Sequence, residues 1–99
     1  MAVYRAGRKR FSRGFVFYTA RLDDQGRKFG FAVSRKVGNA VVRNRVKRWL
    51  RELYRAHRSA LPETVQVVAV ARPEAAGMDF HQCREVFRKY LSDEGLLDG

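Results

Sequence analysis

The sequence predicts an α+β fold, a small two-layer α/β sandwich with helices packed on a central sheet, built from residues 1–99 as one domain. Three observations carry this. FVFYTAR (Phe15–Arg21) and KFGFAVS (Lys28–Ser34) are apolar and aromatic runs that read as strands. A segment from about Ala40 to about Ser59 repeats its apolar residues at three and four, as a packed helix does. VQVVAVAR (Val65–Arg72) then returns as a strand that is apolar almost throughout, and so central in its sheet.

Taken in order, Val3 to Arg13 is short and basic, and reads as a frayed helical turn or a loop. The strand Phe15–Arg21 follows. Asp23-Asp24-Gln25-Gly26 is a turn, and the strand Lys28–Ser34 beyond it should pair with the first as a hairpin. Phe15, Phe17, Phe29, Phe31 and Val33 share the side expected to face the core. The other side carries Tyr18, Lys28, Gly30, Ala32 and Ser34: either a shallow groove for a single strand, with Tyr18 stacking on a base, or a surface covered by another helix.

Asn39 is placed to cap the long helix. Val42, Val46, Trp49, Leu50, Leu53 and His57 fall on one side of it, the core stripe, which makes Trp49 a wall of the core and His57 a satisfied core histidine. Asn44, Lys47, Arg48, Arg51, Arg55 and Arg58 cluster opposite, flanked by Arg43 and Arg45. The strand–helix–strand order predicts a crossover, with the second and third strands in one sheet. Pro73 ends the third strand. Asp79 can cap a last helix over Phe80–Ser92, whose stripe of Phe80, Cys83, Phe87, Tyr90 and Leu91 makes Cys83 a core residue.

Charge narrows the function. The chain has 99 residues, a net charge of +11, 45% hydrophobic and 12% aromatic residues. Such a composition folds rather than staying disordered. Residues 1–58 hold 17 Lys and Arg against three acids, a net of +14, whereas residues 59–99 hold four against seven, a net of −3. A merely solvated surface mixes the two signs. The helix face interleaves one acid, Glu52, among its cations, so its like charges repel unless an outside anion balances them. A phosphate backbone is that anion.

Other classes find little in the chain. No apolar run approaches the ~18 residues of a membrane span. Met1 to Arg13 is basic and does not read as a signal peptide. One cysteine cannot form an internal disulfide, so a reducing, cytoplasmic setting is expected. His81 should be exposed, and neither histidine has a nucleophile and acid beside it. No Walker or dinucleotide glycine loop occurs. Asp23, Asp24, Asp93 and Glu94 sit in a turn and a tail, not in a converging two-metal set.

VSRKVGNAVVRNRVKRWLRELYR (Val33–Arg55), with Arg43-Asn44-Arg45 followed by Lys47-Arg48, closely resembles the signature of the bacterial ribonuclease P protein subunit. Gly7, Arg13, FVFYT, VVAVARPEAA and the last helix fit as well, so the resemblance covers essentially the whole chain. It implies a sandwich like the second domain of ribosomal protein S5, with a left-handed crossover against the usual right-handed rule. It implies binding to the catalytic RNA of ribonuclease P and to the 5′ leader of precursor tRNA. The RNA would cut with magnesium ions, and the protein would supply neither nucleophile nor a tight metal site. On the RNA-binding side the resemblance implies Arg43, Asn44, Arg45, Lys47, Arg48, Arg51 and Arg55, joined by Arg35 and Lys36. In the leader cleft it implies Tyr4 and Tyr18, with Arg13, Lys28 and Ser34. Family members usually carry a longer stretch before Val3-Tyr4, so much of a first helix is expected to be missing here. The alternatives are a structural RNA-binding protein of ribosomal type, a DNA-binding domain using the long helix, and an autonomous protein nuclease.

Overall fold

The structure is a computed structural model that describes residues 7–21 and 26–96. Four strands form one mixed sheet: β1 (Arg8–Ser12), β2 (Phe15–Arg21), β3 (Lys28–Ala32) and β4 (Val65–Ala71), in the order β1-β2-β4-β3. Two helices, α1 (Ala40–His57) and α2 (Phe80–Asp93), pack on one side. This is the expected α+β sandwich.

Two expectations are corrected. Arg8–Ser12 is a strand, not a helical turn or loop. It pairs antiparallel with β2, with Ser12 opposite Phe15, so Arg13-Gly14 is a two-residue hairpin loop. Gly14 has φ +79°, and a Cβ there would come within 2.5 Å of the Met78 sulfur. Only glycine serves both demands. Second, β2 and β3 are not a hairpin. β4 lies between them, antiparallel to β2 and parallel to β3. The crossover through α1 brings β4 back alongside β3, and β4, apolar almost throughout, is paired on both edges at the centre of the sheet. The expected turn at Asp23-Asp24-Gln25 lies outside the described residues. The second strand also ends earlier than expected, at Ala32.

The expected caps are present. The Asn39 side chain accepts from the Val42 N–H at 3.0 Å. Asp79 and Gln82 form a capping box, the Asp79 carboxylate accepting from the Gln82 N–H at 2.8 Å and the Gln82 side chain from the Asp79 N–H at 2.9 Å. Pro73 begins a 3-10 turn, Pro73–Gly77.

The core lies between sheet and helices. Phe15, Phe17, Val65, Val67 and Ala69 face Val46, Leu50, Leu53, Cys83, Phe87, Tyr90 and Leu91. The Phe17 ring stacks on Tyr90, centroids 4.1 Å apart. Tyr90 hydrogen-bonds Thr19, and burial pushes its phenol up to about 12. Burial likewise raises the Cys83 thiol to about 11, which keeps it a neutral core group. Val42 and Trp49 pack at the margin. His57 is half-buried, its Nδ1 2.7 Å from the Leu53 carbonyl and its ring edge-on to Phe87. Val37 is a core residue that periodicity did not reveal, because it sits in the turn Arg35–Val37, closed by the Val37 N–H on the Ser34 carbonyl.

Candidate nucleic-acid interface

The first surface is the outer side of α1. Asn44, Arg48, Arg51, Arg55 and Arg58 are exposed there, and Lys47 is half-exposed. Arg35 and Lys36 are exposed in the turn that leads to its N-terminus. The ion pairs among the described residues all lie elsewhere. Arg8 and Arg10 pair with Glu94, Arg10 also with Asp93, Arg72 with Glu74, and Lys89 with Asp93. Arg10 Nε donates to Glu94 at 2.7 Å, and that bond raises the Arg10 pKa further. Among the described residues the molecule thus pairs Arg8, Arg10, Arg72 and Lys89 internally and leaves the cations of α1 without an ion pair.

Arg43 and Arg45 part company. Arg45 is half-buried and turned onto the protein: its Nη2 donates to the Ala76 carbonyl at 3.2 Å, and its guanidinium lies 5.3 Å from the Trp49 ring. It ties α1 to the 3-10 turn before α2. Arg43 is half-exposed on the flank. Spacing alone separates the two arginines but does not say which one turns inward.

The second surface is the sheet side away from α1 and α2. Register sets its rows. Lys9, Tyr18, Val68 and Gly30 run across the four strands; Phe11, Val16, Val70 and Ala32 form the next row. Lys28, beside Gln66, lies at one end, and Arg13, in the hairpin loop, at the other. Ser34 continues from β3 toward the Arg13 end. Ala20 and Val68 are buried, with Tyr18 and Val70 packed against them. Lys28, Arg13 and Ser34 are exposed. Tyr4 lies outside the described residues. Spread along one face at about 3.3 Å per residue, the described positions make a track, not a single pocket.

Phe11 is the residue on this face that sequence reasoning missed. Its side chain is 64% exposed, with the Lys9 amine 4.8 Å from the ring centroid and the Arg72 guanidinium 6.0 Å from it. Lys9 also reaches within 5.8 Å of the Tyr18 ring. The alternation Lys9–Arg10–Phe11 is its signal, one that carries meaning in a strand and none in a helical turn or loop.

Among the described residues no three His, Cys, Asp or Glu side chains could together hold a metal ion, and no helix is long and apolar enough to cross a membrane. A compact mixed sheet, a helix of unneutralised cations and an aromatic track bordered by lysines define a small α+β protein built to hold a polyanion.

Known proteins narrow that class. The family model for ribonuclease P matches residues 1–94. The ribonuclease P protein component of Dictyoglomus turgidum is 39% identical over 88 residues, 87% of this chain and 73% of that one. The solved ribonuclease P protein of Staphylococcus aureus superposes with a TM-score of 0.87 at 30% identity, covering 97% of this chain and 88% of that one. That of Thermotoga maritima gives 0.81 at 25% identity, covering 99% and 90%. The chain belongs to the ribonuclease P protein component family, the protein part of the ribonucleoprotein endonuclease that removes 5′ leaders from precursor tRNA. The cut itself is made by the RNA of that enzyme.

Proposed function

We propose that α1 binds the catalytic RNA and that the opposite sheet face holds the 5′ leader of precursor tRNA. The observation that carries this is the outer face of α1, whose cations have no ion pair among the described residues, whereas Arg8, Arg10 and Lys89 elsewhere are paired internally. Arg43, Lys47, Arg48, Arg51 and Arg55, with Arg35 and Lys36, take phosphates and release counterions. Asn44 adds directional hydrogen bonds that a point charge does not. Arg45 acts chiefly by fixing α1 against the turn at Ala76. On the sheet, Tyr18 offers a stacking surface, Lys28 and Arg13 take the leader backbone at either end, and Ser34 borders it. Such contacts follow a backbone with little regard to base sequence.

Cutting belongs to the RNA with its magnesium ions; no residue of this chain is assigned to catalysis or to a tight metal site. The protein raises occupancy of substrate and, indirectly, of magnesium by lowering the repulsion between two RNAs. We place it in the cytoplasm, where a lone thiol such as Cys83 stays reduced. The deciding experiment mixes the protein with the ribonuclease P RNA of the same genome and a precursor tRNA at low magnesium. Leader removal should rise well above the RNA alone. No stimulation, with RNA binding intact, would leave a structural RNA-binding protein instead.

A further inference from the structure

At the free edge of the sheet a cleft of about 280 Å³ opens between β3 and the C-terminal half of α1, lined by Phe29, Phe31, Arg51, Tyr54, Arg55 and Arg58. Its floor is aromatic. Phe29 stacks on Tyr54 with centroids 4.5 Å apart and planes 10° apart, and Phe31 lies 6.0 Å from Phe29. The three rings are half-buried, so each keeps some face toward solvent. Its rim is cationic. The Arg51 guanidinium sits 5.1 Å from the Phe31 centroid, and Arg55 and Arg58 are exposed. No acid lines the cleft, and none of the three arginines is in an ion pair among the described residues.

We propose that this cleft takes one unpaired nucleotide of the catalytic RNA, its base against Phe31 and its phosphates on Arg51, Arg55 and Arg58. The proposal rests on the reading of α1 as the face for that RNA and adds what the face recognises. A duplex backbone would meet only the arginine tips and gain nothing from the rings. A base stacked within a helix has no free face to offer. An everted one does, and every base has such a face, so the contact tolerates any of the four. The Arg51 guanidinium already sits over the Phe31 ring, and a guanidinium plane is itself a stacking surface. The leader is not the occupant. Phe29 and Phe31 point to the helix side of the sheet, whereas Tyr18, Gly30 and Lys28 point to the other, so a strand crossing Tyr18 does not reach the cleft.

The test compares wild type with Phe31→Leu, which keeps a large apolar side chain but removes the π-face. Affinity is measured for the catalytic RNA, and separately for precursor tRNA added to the assembled enzyme. Phe31→Leu should bind the catalytic RNA about tenfold more weakly, the scale of one base–aromatic stack, with an unchanged salt slope and unchanged leader-dependent tRNA affinity. In a Trp49→Phe background, Phe31→Trp should retain affinity, and its emission should be quenched when the catalytic RNA is added. Thermal melts check that each variant folds; if Phe31→Leu does not, the Phe31→Trp quenching carries the test. Wild-type affinity from Phe31→Leu, a loss confined to precursor tRNA, or an unquenched tryptophan each overturns the proposal. An acidic peptide competing for the cleft without RNA affinity changing does the same. A wild type that fails to bind the RNA at all would instead remove the functional reading on which the proposal stands.

Discussion

Arg45 and Arg51 have the same side chain on the same helix, and their surroundings give them opposite work. Arg45 spends one N–H on the Ala76 carbonyl and lies over Trp49, half-buried. Arg51 is exposed and rests on Phe31 at the mouth of a cleft. Arg45→Ala should therefore lower stability by about 1–2 kcal/mol, a hydrogen bond plus a cation–π interaction. Arg51→Ala gives up only an exposed cation–π contact and should cost at most about 0.5–1 kcal/mol, yet weaken RNA binding. Urea melts beside a filter-binding titration separate the two; equal stability for both variants would remove the bracing role. Sequence periodicity reaches part of this division. It places Arg43 and Arg45 on the flanks and Val46, Leu50 and Leu53 inside, because about 100° per residue fixes a side chain's direction from its own helix. It cannot supply Ala76, which arrives from 31 residues away, nor Phe11, whose exposure depends on which strand it joins.

At the scale of elements, the caps at Asn39 and Asp79 and the apolar β4 were legible because each is written in a few adjacent residues. The separation of β2 from β3 by β4 is not legible, because strand order is not local: a turn between two strands says they are consecutive, not that they are neighbours. The β4 ladders with β2 and β3 set the strand order, and α2 docks the helix layer on β2. Tyr90 stacks on Phe17 and hydrogen-bonds Thr19, so one residue fixes both the distance and the rotation of the helix. That pairing has a pH signature. The Tyr90 phenol is raised to about 12 in the folded chain, chiefly by burial, above its ordinary value of about 10. The unfolded chain therefore releases this proton first. Stability from Tyr90 is complete below pH 10 and is lost as pH rises from 10 through 12, at up to about 1 kcal/mol per pH unit. Tyr90→Phe should cost roughly 1 kcal/mol at pH 7, because the buried Thr19 hydroxyl is left without its partner, but its stability should fall less steeply above pH 10. Guanidinium melts at pH 8, 10 and 11 check this; parallel pH curves for the two proteins would show that Tyr90 titrates normally.

Across the whole molecule, the segregated charge becomes a division of labour in space. The acids Asp93 and Glu94 at the end of α2 reach the β1 arginines and hold that end of the helix against the first strand. This leaves the positive field on α1 and along the sheet track. Binding driven by that field must weaken with salt, because each phosphate neutralised releases condensed counterions. Lys47 and Arg51 lie one turn apart on the outer side of α1, and neither is in an ion pair among the described residues, so each should account for about one phosphate. The double variant Lys47→Ala with Arg51→Ala should bind the catalytic RNA more weakly at low salt. Its slope of log affinity against log salt should be shallower by about 1.5, at roughly 0.7–0.9 for each phosphate no longer neutralised. Arg8→Ala, whose cation already faces Glu94, is the control and should leave the slope nearly unchanged. Titrations over a tenfold range of potassium chloride measure both. An unchanged slope in the double variant would remove α1 as the phosphate-binding face, and a slope equally reduced in Arg8→Ala would mean that internal pairing does not decide which cations meet RNA.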